Sequence, residues 1–210
     1  MNGYSTRFIA HHTVLAVDVE GFGDSRRTIP HQLTVRDALY EILRQAFAVA
    51  GIPWPACYRE DRGDGVLILA PAQMPKAPFI ETLPFALVAG LRRHNSEHPP
   101  ESRIRLRLAL HAGEVAYDDN GVTASSINLV FRLLDAPPLK AALTDSTGVL
   151  ALITSDWFYD EVARHSVSTE FRQAQVNVKE TSTTGWIARP DDPYPPDRAL
   201  LPAARRWLFR

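Results

Sequence analysis

A chain of 210 residues, 45% of them hydrophobic, is long enough to bury one core of generous size. Its 23 basic and 24 acidic residues leave a formal net charge of −1, which removes any bulk electrostatic case for nucleic acid or membrane as a partner. The single cysteine, Cys57, excludes an internal disulfide and suits a reducing cytoplasm, and no apolar run approaches the length of a membrane span.

Residues 1–12 form a polar leader with no assigned element. Val14–Val17 is apolar throughout and reads as a strand buried on both faces, ending at Asp18 and broken at Gly21. Asp24–Thr28 is a loop closed by Pro30. Thr34, with Asp37 three residues on, predicts a helix N-cap. Val35, Leu39, Ile42, Leu43, Ala46 and Val49 then recur at helical spacing, and Gly51 and Pro53 end the helix. Cys57–Leu69 is a hairpin: Glu60-Asp61-Arg62-Gly63-Asp64-Gly65 supplies the turn, and Val66–Leu69 enters a buried strand.

Pro71–Pro78 is a connector. Leu83–Leu91 is a second helix, with Arg92, Arg93 and His94 suited to its C-terminal end. Arg103–Leu110 alternates strictly, as a half-buried strand does. Its arginine row either faces solvent, the reading that composition favours, or holds phosphates. His111 reads as a hydrogen-bonded strand-end residue, and Asp118–Gly121 as a second turn. Ile127–Leu134 is apolar apart from Asn128 and Arg132, which share one helical face. Capping, a local salt bridge or a functional site would each explain that pair. Val149–Ile153, Phe171–Val178 and Trp186–Ala188 complete the strands, and Ser155 caps a short helix through Val162. Arg189 onward is a proline-broken arm ending in Arg205-Arg206-Trp207-Leu208-Phe209-Arg210. Helices interleaved with strands and hairpins imply an α/β (α+β) fold with a mixed, mainly antiparallel sheet.

Two aspartates, Asp18 and Asp64, each stand beside the end of an apolar strand. A solvated strand-end carboxylate and an ordinary Asp-Gly turn are the plain explanations. Oxygen ligands in such a pair also suit two hard cations, held about 3.5–4 Å apart to clamp both oxygens of a phosphoryl transfer.

The order of Asp18-Val19-Glu20-Gly21-Phe22, Gly63-Asp64-Gly65, His111-Ala112-Gly113-Glu114-Val115 and the Asn128–Arg132 helix resembles the class III nucleotidyl cyclase catalytic domain. The resemblance covers roughly residues 13–188, between the leader and a C-terminal arm at 189–210. It implies a ferredoxin-like, cyclase/palm architecture and conversion of a nucleoside triphosphate to a 3′,5′-cyclic nucleotide and pyrophosphate. Asp18, Asp64 and the Val19 carbonyl would hold two Mg²⁺ or Mn²⁺ ions. Asn128 would orient the ribose and Arg132 would neutralise charge on the α-phosphate. Lys179 would bind phosphate, although Glu180 stands where the family usually has glycine.

The same resemblance implies a homodimer whose sites are shared between chains, with the metal aspartates from one and the Asn128–Arg132 helix from the other. Glu60 occupies the base-reading position, where a carboxylate suits guanine; its other pairing is with Arg59 or Arg62. The segment near Gly121–Ser125 matches neither purine pattern, as in bacterial pyrimidine cyclases of antiphage defence, so guanine and pyrimidine both stay open. A separate cyclic-nucleotide-binding effector would read the product. The alternatives are a catalytically silent cyclase-like domain that binds nucleotide or only dimerises, and a polymerase-type palm domain.

Overall fold

A computed structural model of the chain describes residues 7–194. Its eight strands form one sheet: β1 (Phe8–Val19), β2 (Tyr58–Asp61), β3 (Gly65–Pro71), β4 (Leu106–Asp118), β5 (Gly121–Thr123), β6 (Leu150–Ser155), β7 (Arg172–Val178) and β8 (Thr181–Ala188). The order is β2-β3-β1-β4-β6-β8-β7, with β5 paired to the far end of β4. β4 and β6 run parallel and the other pairs antiparallel. The predicted mixed, mainly antiparallel α/β sheet is therefore the observed one. It takes in Phe8–His12, which the sequence left unassigned, whereas the predicted tail Arg205–Arg210 lies outside the described residues.

Helices α1 (Ile29–Val49), α2 (Pro78–Glu81) and α3 (Leu83–Glu97) pack on one face; α4 (Ser125–Leu134) and α5 (Pro137–Thr144) pack on the other, and α6 (Asp156–Glu161) follows β6. The central strands are buried on both faces because alternate residues enter two separate cores. Leu15 and Val17 join the α1–α3 side, Val14 and Ala16 the α4–α5 side. No helix among the described residues is long and apolar enough to cross a membrane.

Three local readings are corrected. α1 begins at Ile29 rather than after Thr34: Thr28 is the cap, His31 accepts its N–H at 3.2 Å, and Pro30 fits the first turn, where its missing donor costs nothing. Thr34 sits inside the helix and donates its hydroxyl to Pro30 O at 3.0 Å. α3 runs through Arg92–His94 to Glu97, and His94 finds a partner in Ser102 O at 2.9 Å. α5 has no counterpart in the predicted elements. Ser155 does cap α6, accepting the Phe158 N–H at 3.1 Å.

Candidate active site

β1 lies between β3 and β4, with Asp18 directly opposite Gly65 on one side and Arg107 on the other. That register sets Asp18 against Arg107 at one end of the sheet, with Asp64 in the turn just before Gly65. Arg107 donates to both Asp18 oxygens at 2.8 Å, and the two side chains are only 14% and 15% exposed. Burial pushes the Asp18 carboxyl above its ordinary range, Arg107 opposes that shift, and the like charge of Asp64 reinforces it. The arginine row is thus no solvated face. Arg107 pairs with Asp18, and Arg105 donates to Glu20 at 2.9 Å and to the carbonyls of Gly148, Ser146 and Leu143. Only Arg103 is exposed.

Asp64 is exposed at the β2–β3 turn, and its carbonyl accepts the Val19 N–H at 2.9 Å. Two glycines make that approach possible. Gly63 adopts φ +86, and a Cβ on Gly65 would stand 1.9 Å from the Val17 carbonyl oxygen. The turn is clamped to α1 through Asp61, which accepts from Arg36 at 3.1 and 2.6 Å and from the Tyr40 hydroxyl at 2.6 Å. Arg36 also donates to Gly63 O, and Asp61 takes the Gly63 N–H at 2.8 Å. Arg36 holds the Asp61 carboxyl down to about 2, so the clamp stays charged.

No group of three or more His, Cys, Asp or Glu side chains able to hold a metal ion occurs among the described residues. Two carboxylates and a main-chain carbonyl nevertheless fit a hard cation that keeps waters and takes its remaining oxygens from phosphates. Both Asp18 oxygens accept from Arg107, so a cation there would compete with that arginine for the carboxylate's charge and take the lone pairs left over. Beside this end, the loop after β1 walls a cavity of about 330 Å³ lined by Glu20, Gly21, Asp24, Arg26, Arg27 and Glu101.

The second group of site residues clusters elsewhere. Asn128 is exposed on α4, while Arg132, one turn on, is mostly buried and donates to Glu180 at 2.9 Å. Glu180 and Lys179 form the two-residue tip between β7 and β8, closed by the Val178–Thr181 pair, with Lys179 in a left-handed conformation at φ 52. The structure thus brings Arg132, Glu180 and Lys179 to one place. The ion pair that Arg132 makes is therefore not the local one the helix spacing suggested, since Glu180 lies 48 positions further on.

Glu60 sits on β2, 3.2 Å from the Arg62 guanidinium, and accepts the Tyr58 hydroxyl at 3.3 Å. Of its two possible arginine partners, Arg62 is the one it has; Arg59 instead donates to the carbonyls of Trp54 and Cys57. The Arg62 guanidinium also stacks over Phe131 at 4.9 Å, which ties the β2–β3 turn to α4.

His111 lies inside β4, where burial pushes its imidazole down to about 4. It is neutral at pH 7, with Nδ1 2.7 Å from Ser155 Oγ, as a hydrogen-bonded structural histidine would be. Arg107 and Glu180 are the residues of interest that sequence reasoning did not single out. Alternation along Arg103–Leu110 did mark Arg107's row, but only the cross-strand register shows that it faces Asp18.

No protein-family model matches the chain, and no curated protein matches it in sequence. Solved structures do match in fold. An adenylate/guanylate cyclase/hydrolase from Silicibacter pomeroyi aligns with a TM-score of 0.63 at 19% identity, over 89% of this chain and 100% of its own. The non-canonical dimeric guanylyl cyclase domain of the RhoGC fusion protein from Blastocladiella emersonii aligns with a TM-score of 0.55 at 17% identity, over 87% and 97%. The guanylate cyclase domain of RhGC from Catenaria anguillulae, in complex with GTP, aligns with a TM-score of 0.57 at 15% identity, over 87% and 97%. The chain has the fold of the class III adenylate/guanylate cyclase catalytic domain.

Proposed function

We propose that this chain is a nucleotidyl cyclase, which turns a nucleoside triphosphate into a 3′,5′-cyclic nucleotide and pyrophosphate. The observation that carries the reading is the meeting of Asp18, Asp64 and Arg107 at one end of the central strands of a cyclase-type sheet. Asp18, Asp64 and the Val19 carbonyl would hold two Mg²⁺ or Mn²⁺ ions, which when bound lower the pKa of the ribose 3′-hydroxyl and offset the triphosphate charge.

The 3′-oxygen attacks the α-phosphorus, the bond from that phosphorus to the bridging oxygen breaks, and pyrophosphate leaves while the hydroxyl proton passes to water. Asn128 orients the ribose. Arg132 offers donors to the α-phosphate as its charge is redistributed. Lys179 neutralises the terminal phosphates, and Arg107, once released from Asp18, adds a second fork of donors. The unit proposed to act is the described sheet with its helices. It works as a homodimer with one half of each site from either chain, as the family resemblance implies.

Two base classes fit Glu60. Guanine fits if the carboxylate leaves Arg62 and accepts from the base; a pyrimidine fits if the Glu60–Arg62 pair stays closed. On the pyrimidine branch the product suits antiphage signalling through a separate cyclic-nucleotide-binding effector.

One observation favours a second reading, a catalytically silent nucleotide-binding or dimerisation domain. Asp18, Glu60 and Arg132 each already have a partner of opposite charge in the chain. Incubation with ATP, GTP, CTP and UTP separately, with Mn²⁺ and product identification, decides between them. The cyclase reading expects one cyclic product, lost in Asp18→Ala, in Asp64→Ala and on chelation. No product from any of the four would support the silent domain.

A further inference from the structure

Arg132 is engaged by a carboxylate that its own chain supplies. The arginine side chain is 18% exposed and fixed on α4, whereas Glu180 is 72% exposed at a hairpin tip. A guanidinium presents five donors in a planar fork that matches carboxylate and phosphate equally well. Here Nη2 meets Glu180, while Nε is buried and has no partner among the described residues. The arginine is thus under-supplied with acceptors. The acceptor it does have is solvated and able to leave, because water can take over the Glu180 end of the pair.

The tip itself is well defined. Lys179 holds a left-handed φ of 52, unusual for a residue with a side chain, between paired Val178 and Thr181. It therefore presents a cation and an anion side by side. Arg132 keeps the Glu180 carboxyl below its ordinary range, so this anion persists at physiological pH.

We propose that Glu180 is a positioning latch: its carboxylate occupies Arg132 in the free protein, as a phosphate would, and is displaced when a triphosphate binds. The inference rests on the reading of Arg132 as a phosphate-neutralising residue. A triphosphate brings more charge and more oxygens than one carboxylate, and Lys179 stands beside it to take part of that charge. The latch opposes ground-state and transition-state binding alike. It therefore acts on KM and leaves kcat alone.

Because the base is unresolved, the probe is inorganic triphosphate with Mg²⁺, titrated calorimetrically into the full chain. Four proteins are compared: wild type, Glu180→Gln, Arg132→Ala and the double variant. Glu180→Gln should bind about two- to five-fold tighter, the range an exposed ion pair allows, and Glu180→Ala should reproduce the gain. In the Arg132→Ala background the gain should vanish, because the carboxylate acts through that arginine. With the preferred nucleotide, KM should fall by the same factor at constant kcat.

Equal or weaker binding by Glu180→Gln, or absence of binding by every protein, overturns the latch. So does a gain that survives in Arg132→Ala, which would be general charge repulsion. An inactive wild type whose Glu180→Gln variant binds tighter refutes the cyclase reading and keeps the latch. An active wild type with unchanged binding refutes the latch alone.

Discussion

Arg107 and Asp18 face each other at directly paired positions of β4 and β1, and two hydrogen bonds of 2.8 Å join them in a mostly buried setting. A cation held by Asp18 would compete with this internal pair for the carboxylate's charge. Arg107→Ala should therefore destabilise the fold by about 3 kcal/mol, the cost of leaving a buried charge without its partner. Mn²⁺ should restore more stability to that variant than it adds to the wild type. Urea unfolding with and without Mn²⁺ measures both, and equal Mn²⁺ effects would remove Asp18 from the ligand set.

Sharing of sites between chains has a direct test. Asp64→Ala and Arg132→Ala are each expected to be inactive, yet a mixture that exchanges subunits should recover part of the activity. Heterodimers would then contain one complete site. Continued inactivity in a mixture shown by native mass spectrometry to contain heterodimers would place each site within a single chain.

The clamp from α1 should matter to the metal more than to the fold. Asp61 is partly exposed, so Asp61→Asn should cost about 1 kcal/mol of stability. By loosening the turn that carries Asp64, it should weaken Mn²⁺ binding several-fold in a spin-resonance titration. Arg36→Met should do the same. Unchanged Mn²⁺ affinity in both would make the clamp purely structural.

Acid should unfold the protein partly through His111. Burial lowers its folded-state pKa from 6.5 to about 4, so the unfolded chain takes up a proton that the folded chain refuses. The stability concerned is fully present above about pH 6.5 and is lost as pH falls towards about 4, to an extent on the order of 3 kcal/mol. His111→Asn should flatten that slope in chemical unfolding at pH 7.5 and 4.5. Some slope should persist, because burial also lowers His12 and His94.

The parts legible in the sequence were those encoded by local pattern. The apolar run into Asp18, the Gly63-Asp64-Gly65 turn and the α4 periodicity each announce themselves within ten residues or so, and each stands where that pattern puts it. What escaped depends on partners distant in sequence. Nothing near Arg107 says that Asp18 will lie opposite it, and nothing near Glu180 points to Arg132. α5 escaped for another reason: it is short, begins with two prolines, and buries only Leu139, Ala142 and Leu143. Thr34 misled because a threonine followed three residues later by aspartate resembles a cap even inside a helix.

The Asp18–Arg107 bond joins residues 89 positions apart in the chain, and Arg132–Glu180 joins residues 48 apart. Contacts of that span are expensive to form early, since loop entropy must be met before any pairing repays it. Both halves of the candidate site should therefore assemble late on the folding path. A nucleotide or cation bound there recognises only the finished molecule. Such a ligand should shift the whole unfolding transition rather than protect one segment, and amide exchange should slow together in β1, β4 and α4.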